Sequence, residues 1–251
     1  MRVTAVLNLK GGVAKTTTVI NMAAILADRG NSVLVVDADS QCNTTEFLAG
    51  HLTGGGMVHL DTLADGLRGH TMQAYESNVA GVSIIPADDS LMDLDLSSIS
   101  GKGLDLRCLT RFVTAEGYDY CLIDCPPAFN AATAAALLAA DDVVIPIKLD
   151  AFSLRGMSNL THQIANMRKL NPSLQIAGLL PTMCYRSETL RSSLDLLRLS
   201  EFCVFPVIRR TAKVDEMTFA QAPIIVSSPK SAAAVDYKRF VSAYLKEEVR
   251  R

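Results

Sequence analysis

The stretch "LNLKGGVAKTTTVINMAAIL", residues 7 to 26, constrains the fold more than any other part of the chain. An apolar run meets two glycines and then passes into a helical pattern through Lys15 and Thr16. Strand, glycine turn and helix N-terminus, in that order, wrap successive backbone N–H groups around phosphate oxygens with the positive end of the helix dipole behind them. The candidate phosphate contacts are therefore Gly11, Gly12, Val13, Ala14, Lys15, Thr16 and Thr17. Lys15 is expected to reach the β and γ phosphates, and Thr16 to set its hydroxyl on a Mg2+ that bridges the same oxygens.

Short apolar runs recur at 3–9, 32–38, 81–87, 120–125, 142–148, 175–182 and 223–228, with helical stretches between them. Several are continuous rather than alternating, which is how strands of a parallel sheet read when helices cover both faces. In the first intervening helix Val19, Met22, Ala23 and Leu26 fall at i, i+3, i+4 and i+7, and Gly30 with Asn31 supplies a stop. The pattern predicts an α/β, doubly wound, mostly parallel sheet with helices on both faces, its ligand lying beyond the carboxyl ends of the strands. With 49% hydrophobic residues among 251, the chain can build a substantial core. No Pro/Gly/Ser linker or fixed-period repeat divides it, so residues 1–251 read as a single domain. Residues 49–61 read as a surface excursion followed by a short helix.

A formal net charge of −2 excludes a generally basic nucleic-acid binder, so any affinity for DNA needs a local patch. Six cysteines without a CxxC pair, and no secretory leader, point to a reducing cytoplasm. No apolar run approaches the ~20 residues that cross a bilayer. His51, His59, His70 and His162 lack metal-ligand spacing, and the acidic set Asp88, Asp89, Asp93 and Asp95 reads as a helix start with its solvated face.

Asp37 and Asp39 stand at the carboxyl end of the second strand, two residues apart, and are expected to differ in role. Asp124 ends a buried strand before Pro126 and Pro127. Leu9 occupies the place of the first glycine in GxxxxGK[ST], and the loop reads instead K-G-G-x-A-K-T-T, beginning at Lys10. This resembles the deviant phosphate loop of the ParA/MinD family, KGGxGK[ST], with Ala14 in place of a glycine. The resemblance implies that Lys10 reaches across a dimer to the nucleotide held by the other subunit. "VVDADSQCNTT" resembles the family's DxDPQGN, with Ser40 and Cys42 replacing proline and glycine, and implies Asp37 near the Mg2+ shell and Asp39 near the attacking water. Asp124 matches the second carboxylate that orders magnesium. "APIIVSSPKSAAA" resembles the strand and loop lining the adenine pocket, which makes Pro229 a candidate contact.

"FPVIRRTAKVDEM", residues 205–217, carries Arg209, Arg210 and Lys213, and is similar to the segment with which partition ATPases bind DNA without sequence preference. The resemblance, closest to small Soj-like members, implies an ATPase using ATP and Mg2+ that forms an ATP-bound homodimer and then holds nonspecific DNA. It also implies a ParB-like stimulating partner and a cytoplasmic, nucleoid-associated location. The C-terminal "YKRFVSAYLKEEVRR" invites comparison with a MinD-type membrane tail, but Phe240, Val241, Tyr244 and Leu245 are expected to pack in the core, so no stable membrane association is expected. Three alternatives stand beside this reading. They are a MinD-like membrane positioner, an ATP-dependent ligase on the same fold, and a nucleotide-gated scaffold with negligible turnover.

Overall fold

The computed structural model describes residues 1–53, 60–94 and 103–249. In chain order the elements are β1 (Arg2–Val6), α1 (Lys15–Asp28), β2 (Val33–Asp37), α2 (Asn43–Thr53), α3 (Leu63–Leu67), β3 (Tyr75–Glu76) and β4 (Val82–Ile85). There follow α4 (Cys108–Ala115), β5 (Tyr120–Asp124), α5 (Ala131–Ala139), β6 (Asp142–Lys148), α6 (Ala151–Met167) and β7 (Gln175–Thr182). The chain then continues with α7 (Glu188–Arg198), α8 (Lys213–Ala220), α9 (Ile224–Ser227) and α10 (Ala232–Val249).

The strands form one sheet in the order β3-β4-β2-β5-β1-β6-β7. Every pair is parallel except β3–β4, an antiparallel edge too short to leave an apolar pattern in the sequence. All five residues of β2 are buried, as a strand covered on both faces requires. On one face α1, α2, α8, α9 and α10 pack through Val19, Met22, Leu26, Phe47, Met217 and Phe240, among others. On the other, α3 to α7 contribute residues such as Leu63, Leu109, Leu137, Leu160 and Leu197. The chain runs from β1 toward β4 on one side and later toward β7 on the other, so the strand order reverses around β1. A ligand crevice is expected at the carboxyl ends there.

Two sequence expectations change. Residues 223–228 form the short helix α9 instead of a strand. Pro223 precedes its first turn at φ −52°, and Asn21 Oδ1 accepts a hydrogen bond from Ile224 N at 2.8 Å. The place beside β7 is taken by the segment carrying Val204 and Arg209, through parallel bridges Leu179–Val204 and Cys184–Arg209. Residues 49–53 belong to α2, whose buried Phe47, Leu48 and Ala49 continue the helix, while residues 54–59 of that expected excursion lie outside the described residues. Asp88 caps a 3-10 turn at Asp89–Asp93, and Asp95 also lies outside the described residues.

Candidate nucleotide site

The glycine loop leaves the carboxyl end of β1 and enters α1. Asn8 braces its start, donating from Nδ2 to Pro146 O at 2.7 Å and accepting Lys10 N at 3.0 Å. Its far end is pinned by Thr182 Oγ1 on Val13 O at 3.0 Å and Thr18 Oγ1 on Ala14 O at 2.7 Å. Gly12 takes φ +67°, and Ala14 takes φ 67°, ψ 38°, so both turn through the left-handed region that curls a loop around an anion. A Cβ built on Gly11 or Gly12 would meet no protein atom within 4 Å, so these glycines border open space.

The two lysines have different surroundings. Lys15 is buried and its Nζ turns back onto Lys10 O at 3.3 Å. Burial lowers its pKa, and the charge of Asp124 opposes that. Lys10 is half-exposed, and its Nζ contacts both carboxylate oxygens of Asp150, at 2.9 and 2.6 Å, just beyond the end of β6. Both amines thus sit on the loop, at the crevice that the topology predicts.

Asp37 and Asp124 end adjacent parallel strands and lie opposite each other in register. Both are buried, and burial raises both carboxyl pKa values, Asp37 further through its neighbour's charge. Asp124 Oδ2 accepts Thr16 Oγ1 at 2.6 Å and Thr44 Oγ1 at 2.7 Å, whereas Oδ1 is buried without a partner among the described residues. Asp37 Oδ2 accepts the backbone N and Oγ1 of Thr45 at 2.8 and 2.7 Å. Two adjacent carboxylates, a free buried oxygen and the Thr16 hydroxyl form the hard oxygen set that a magnesium ion takes, so the residues present fit that ion. Asp39 lies just beyond the end of β2, half-buried, and accepts Gln41 N at 3.0 Å. Cys42 closes this turn at φ +55°.

Thr44, Thr45, Asn8 and Asp150 were missed in the sequence. Hydroxyls in the first turn after Asp39 are the one signal that could have drawn notice to the threonines. Pro229 is exposed and lines neither cavity adjoining the loop. The hollow of about 270 Å³ beside Ala14 is walled instead by apolar residues such as Met183, Ile208 and Val214 on one hand and by Arg209, Arg210 and Asp215 on the other.

The basic segment divides. Arg209 donates from Nε and Nη2 to the buried Asp236 at 2.7 and 2.8 Å, so the guanidinium that the sequence offers to DNA is engaged by a carboxylate within the chain. Lys213 pairs with Glu216 on the surface of α8. Arg210 is exposed, and among the described residues its side chain meets no carboxylate. Phe240, Val241 and Tyr244 are buried, as expected, with Leu245 partly so.

The AAA domain family matches residues 1–176 of the chain. The chromosome partitioning protein ParA of Caulobacter vibrioides is 33% identical over 258 residues, covering 99% of this chain and 95% of that protein. The chromosome-partitioning ATPase Soj of Thermus thermophilus is 35% identical over 240 residues, covering 94% and 92%. Among solved structures, cobyrinic acid a,c-diamide synthase from Mycobacterium smegmatis, with bound ATP analogue and magnesium, superposes with a TM-score of 0.82 at 30% identity, covering 99% and 95%.

Proposed function

The chain belongs to the ParA/MinD family of deviant Walker-type ATPases, on the P-loop NTPase fold, and from that membership we propose that it is a partition-type ATPase. In this reading it binds ATP with Mg2+, pairs with a second copy in that state, and holds DNA nonspecifically. A ParB-like partner stimulates hydrolysis, which releases the DNA and returns the chain from the nucleoid to the cytoplasm.

The observation that carries the reading is the pair of lysines on one phosphate loop, Lys15 turned inward and Lys10 at its outer rim. A second cation lent to a neighbouring chain's triphosphate stabilises charge in the transition state and makes turnover depend on pairing. It also gives ATP a contact that ADP lacks, which a nucleotide-driven population shift requires. Asp37 and Asp124 with Thr16 would hold the magnesium, and Asp39 would orient the attacking water. The ion, when bound, neutralises charge on the transferring phosphoryl group.

Filter binding of nonspecific DNA with ATP, with ADP and without nucleotide tests the reading. Retention confined to ATP is the expected result; equal retention in all three, or none, overturns it. A second reading, an ATP-dependent acid-amidating synthase, is favoured by the 30% identity to the diamide synthase. It requires turnover that depends on a small carboxylic acid, with no DNA retention. A MinD-like membrane tail is disfavoured because α10 turns Phe240, Val241 and Tyr244 into the core.

A further inference from the structure

The two oxygens of Asp124 have unlike surroundings. Oδ2 receives two hydroxyl donors, from Thr16 and Thr44, and Oδ1 is buried and receives none among the described residues. A carboxylate turns about its terminal torsion with only a broad, roughly twofold preference, so a single donor leaves its oxygens interchangeable. Two donors converging on one oxygen fix the orientation of the carboxylate. Of these two, Thr16 is itself the hydroxyl suited to a cation, which leaves Thr44 as the donor with no other task. Thr44 is fully buried in the first turn of α2. The next residue treats the neighbouring carboxylate alike. Thr45 donates twice to Asp37 Oδ2, and its Oγ1 accepts Ala87 N at 2.9 Å from the end of β4. The start of α2 is thereby fastened to both carboxylates.

We propose that Thr44 is a positioning residue for the divalent cation, fixing the orientation of the Asp124 carboxylate beside the Thr16 hydroxyl and tying the start of α2 to metal occupancy. The inference rests on the reading that this site takes a nucleotide with magnesium. A threonine that merely satisfied its own buried hydroxyl would affect stability without distinguishing metal from nucleotide. Partners that orient a metal's carboxylate typically change metal affinity by about 10- to 100-fold when removed.

The test uses the full chain with a non-hydrolysable ATP analogue and Mn2+ as the probe, read by electron paramagnetic resonance, with Mg2+ as competitor. Thr44→Val keeps the shape and removes the donor. It is expected to bind the analogue in EDTA as the parent does, and to bind Mn2+ about tenfold or more weakly once the analogue is present. Thr44→Ser restores the hydroxyl and the affinity, while Thr44→Ala reproduces the valine defect; thermal melts confirm that each variant is folded. Unchanged Mn2+ affinity in Thr44→Val overturns the proposal. So does an equal loss of analogue binding in EDTA, or a serine variant as weak as the valine one. Failure of the parent itself to take up Mn2+ with the analogue would sink the underlying nucleotide reading instead, and the inference with it.

Discussion

Ala14 holds φ 67°, ψ 38°, where an L residue other than glycine is strained by roughly 1–2 kcal/mol. Glycine there would relieve the clash but enlarge the unfolded ensemble, which offsets about 0.5–1 kcal/mol. Ala14→Gly is therefore expected to stabilise the fold by about 0.5–1 kcal/mol. Urea denaturation should show a higher midpoint at unchanged slope, and a lower midpoint contradicts the account. Lys10 separates stability from function. Its ion pair joins side chains 36% and 30% exposed, and such pairs contribute about 0–1 kcal/mol. Lys10→Ala should barely move the melt and spare ATP binding, yet abolish the ATP-induced dimer in sizing chromatography. An intact ATP dimer with normal turnover would contradict the role given to Lys10. The loop, both lysines and the three aspartates were legible because each is a chemically specific group at a strand end. The backbone angle of Ala14 and the hydroxyl clamps of Thr44 and Thr45 were not, since they depend on where α2 lands against strands from elsewhere in the chain.

Among the elements, α9 shows how local pattern yields to tertiary context. "PIIVSS" is rich in β-branched residues and reads as a strand. Its first backbone N–H is instead captured by Asn21 of α1, a fully buried side chain that also donates to Thr17 O at 2.8 Å. Asn21→Leu would leave the Ile224 N–H without its acceptor in a buried setting, which costs about 1–3 kcal/mol. The measurement is the drop in unfolding free energy, and a change below ~0.5 kcal/mol would show that Asn21 does not hold this helix. α10 was legible in the sequence through its apolar stripe. Its anchorage was not: Phe205 meets the Phe240 ring edge-on at a centroid distance of 5.2 Å, and Tyr244 OH bonds Thr4 Oγ1 at 2.6 Å, contacts that span 35 and 240 positions. The strand set was readable because parallel strands buried on both faces are continuously apolar. Their order was not, because crossovers leave no local trace.

For the whole molecule, charge decides how DNA can be held. With a net charge of −2 the overall field does not attract a polyanion, so the proposed DNA contact depends on local cations and on doubling them by pairing. In the segment 205–217, Arg209 is engaged by Asp236 and Lys213 by Glu216, which leaves Arg210 as the cation best placed to neutralise a phosphate. Each phosphate neutralised contributes about −0.9 to the slope of log affinity against log salt. Arg210→Ala should therefore make the slope of an ATP-bound dimer shallower by about 2, one contact from each chain. Arg209→Ala should leave the slope where it was and lower the melting midpoint instead, because Asp236 would lose the cation that offsets its burial. Titrations between about 50 and 200 mM salt separate the two arginines. Equal flattening by both variants would place Arg209 on the DNA after all, and no flattening by Arg210→Ala would move the contact off this segment.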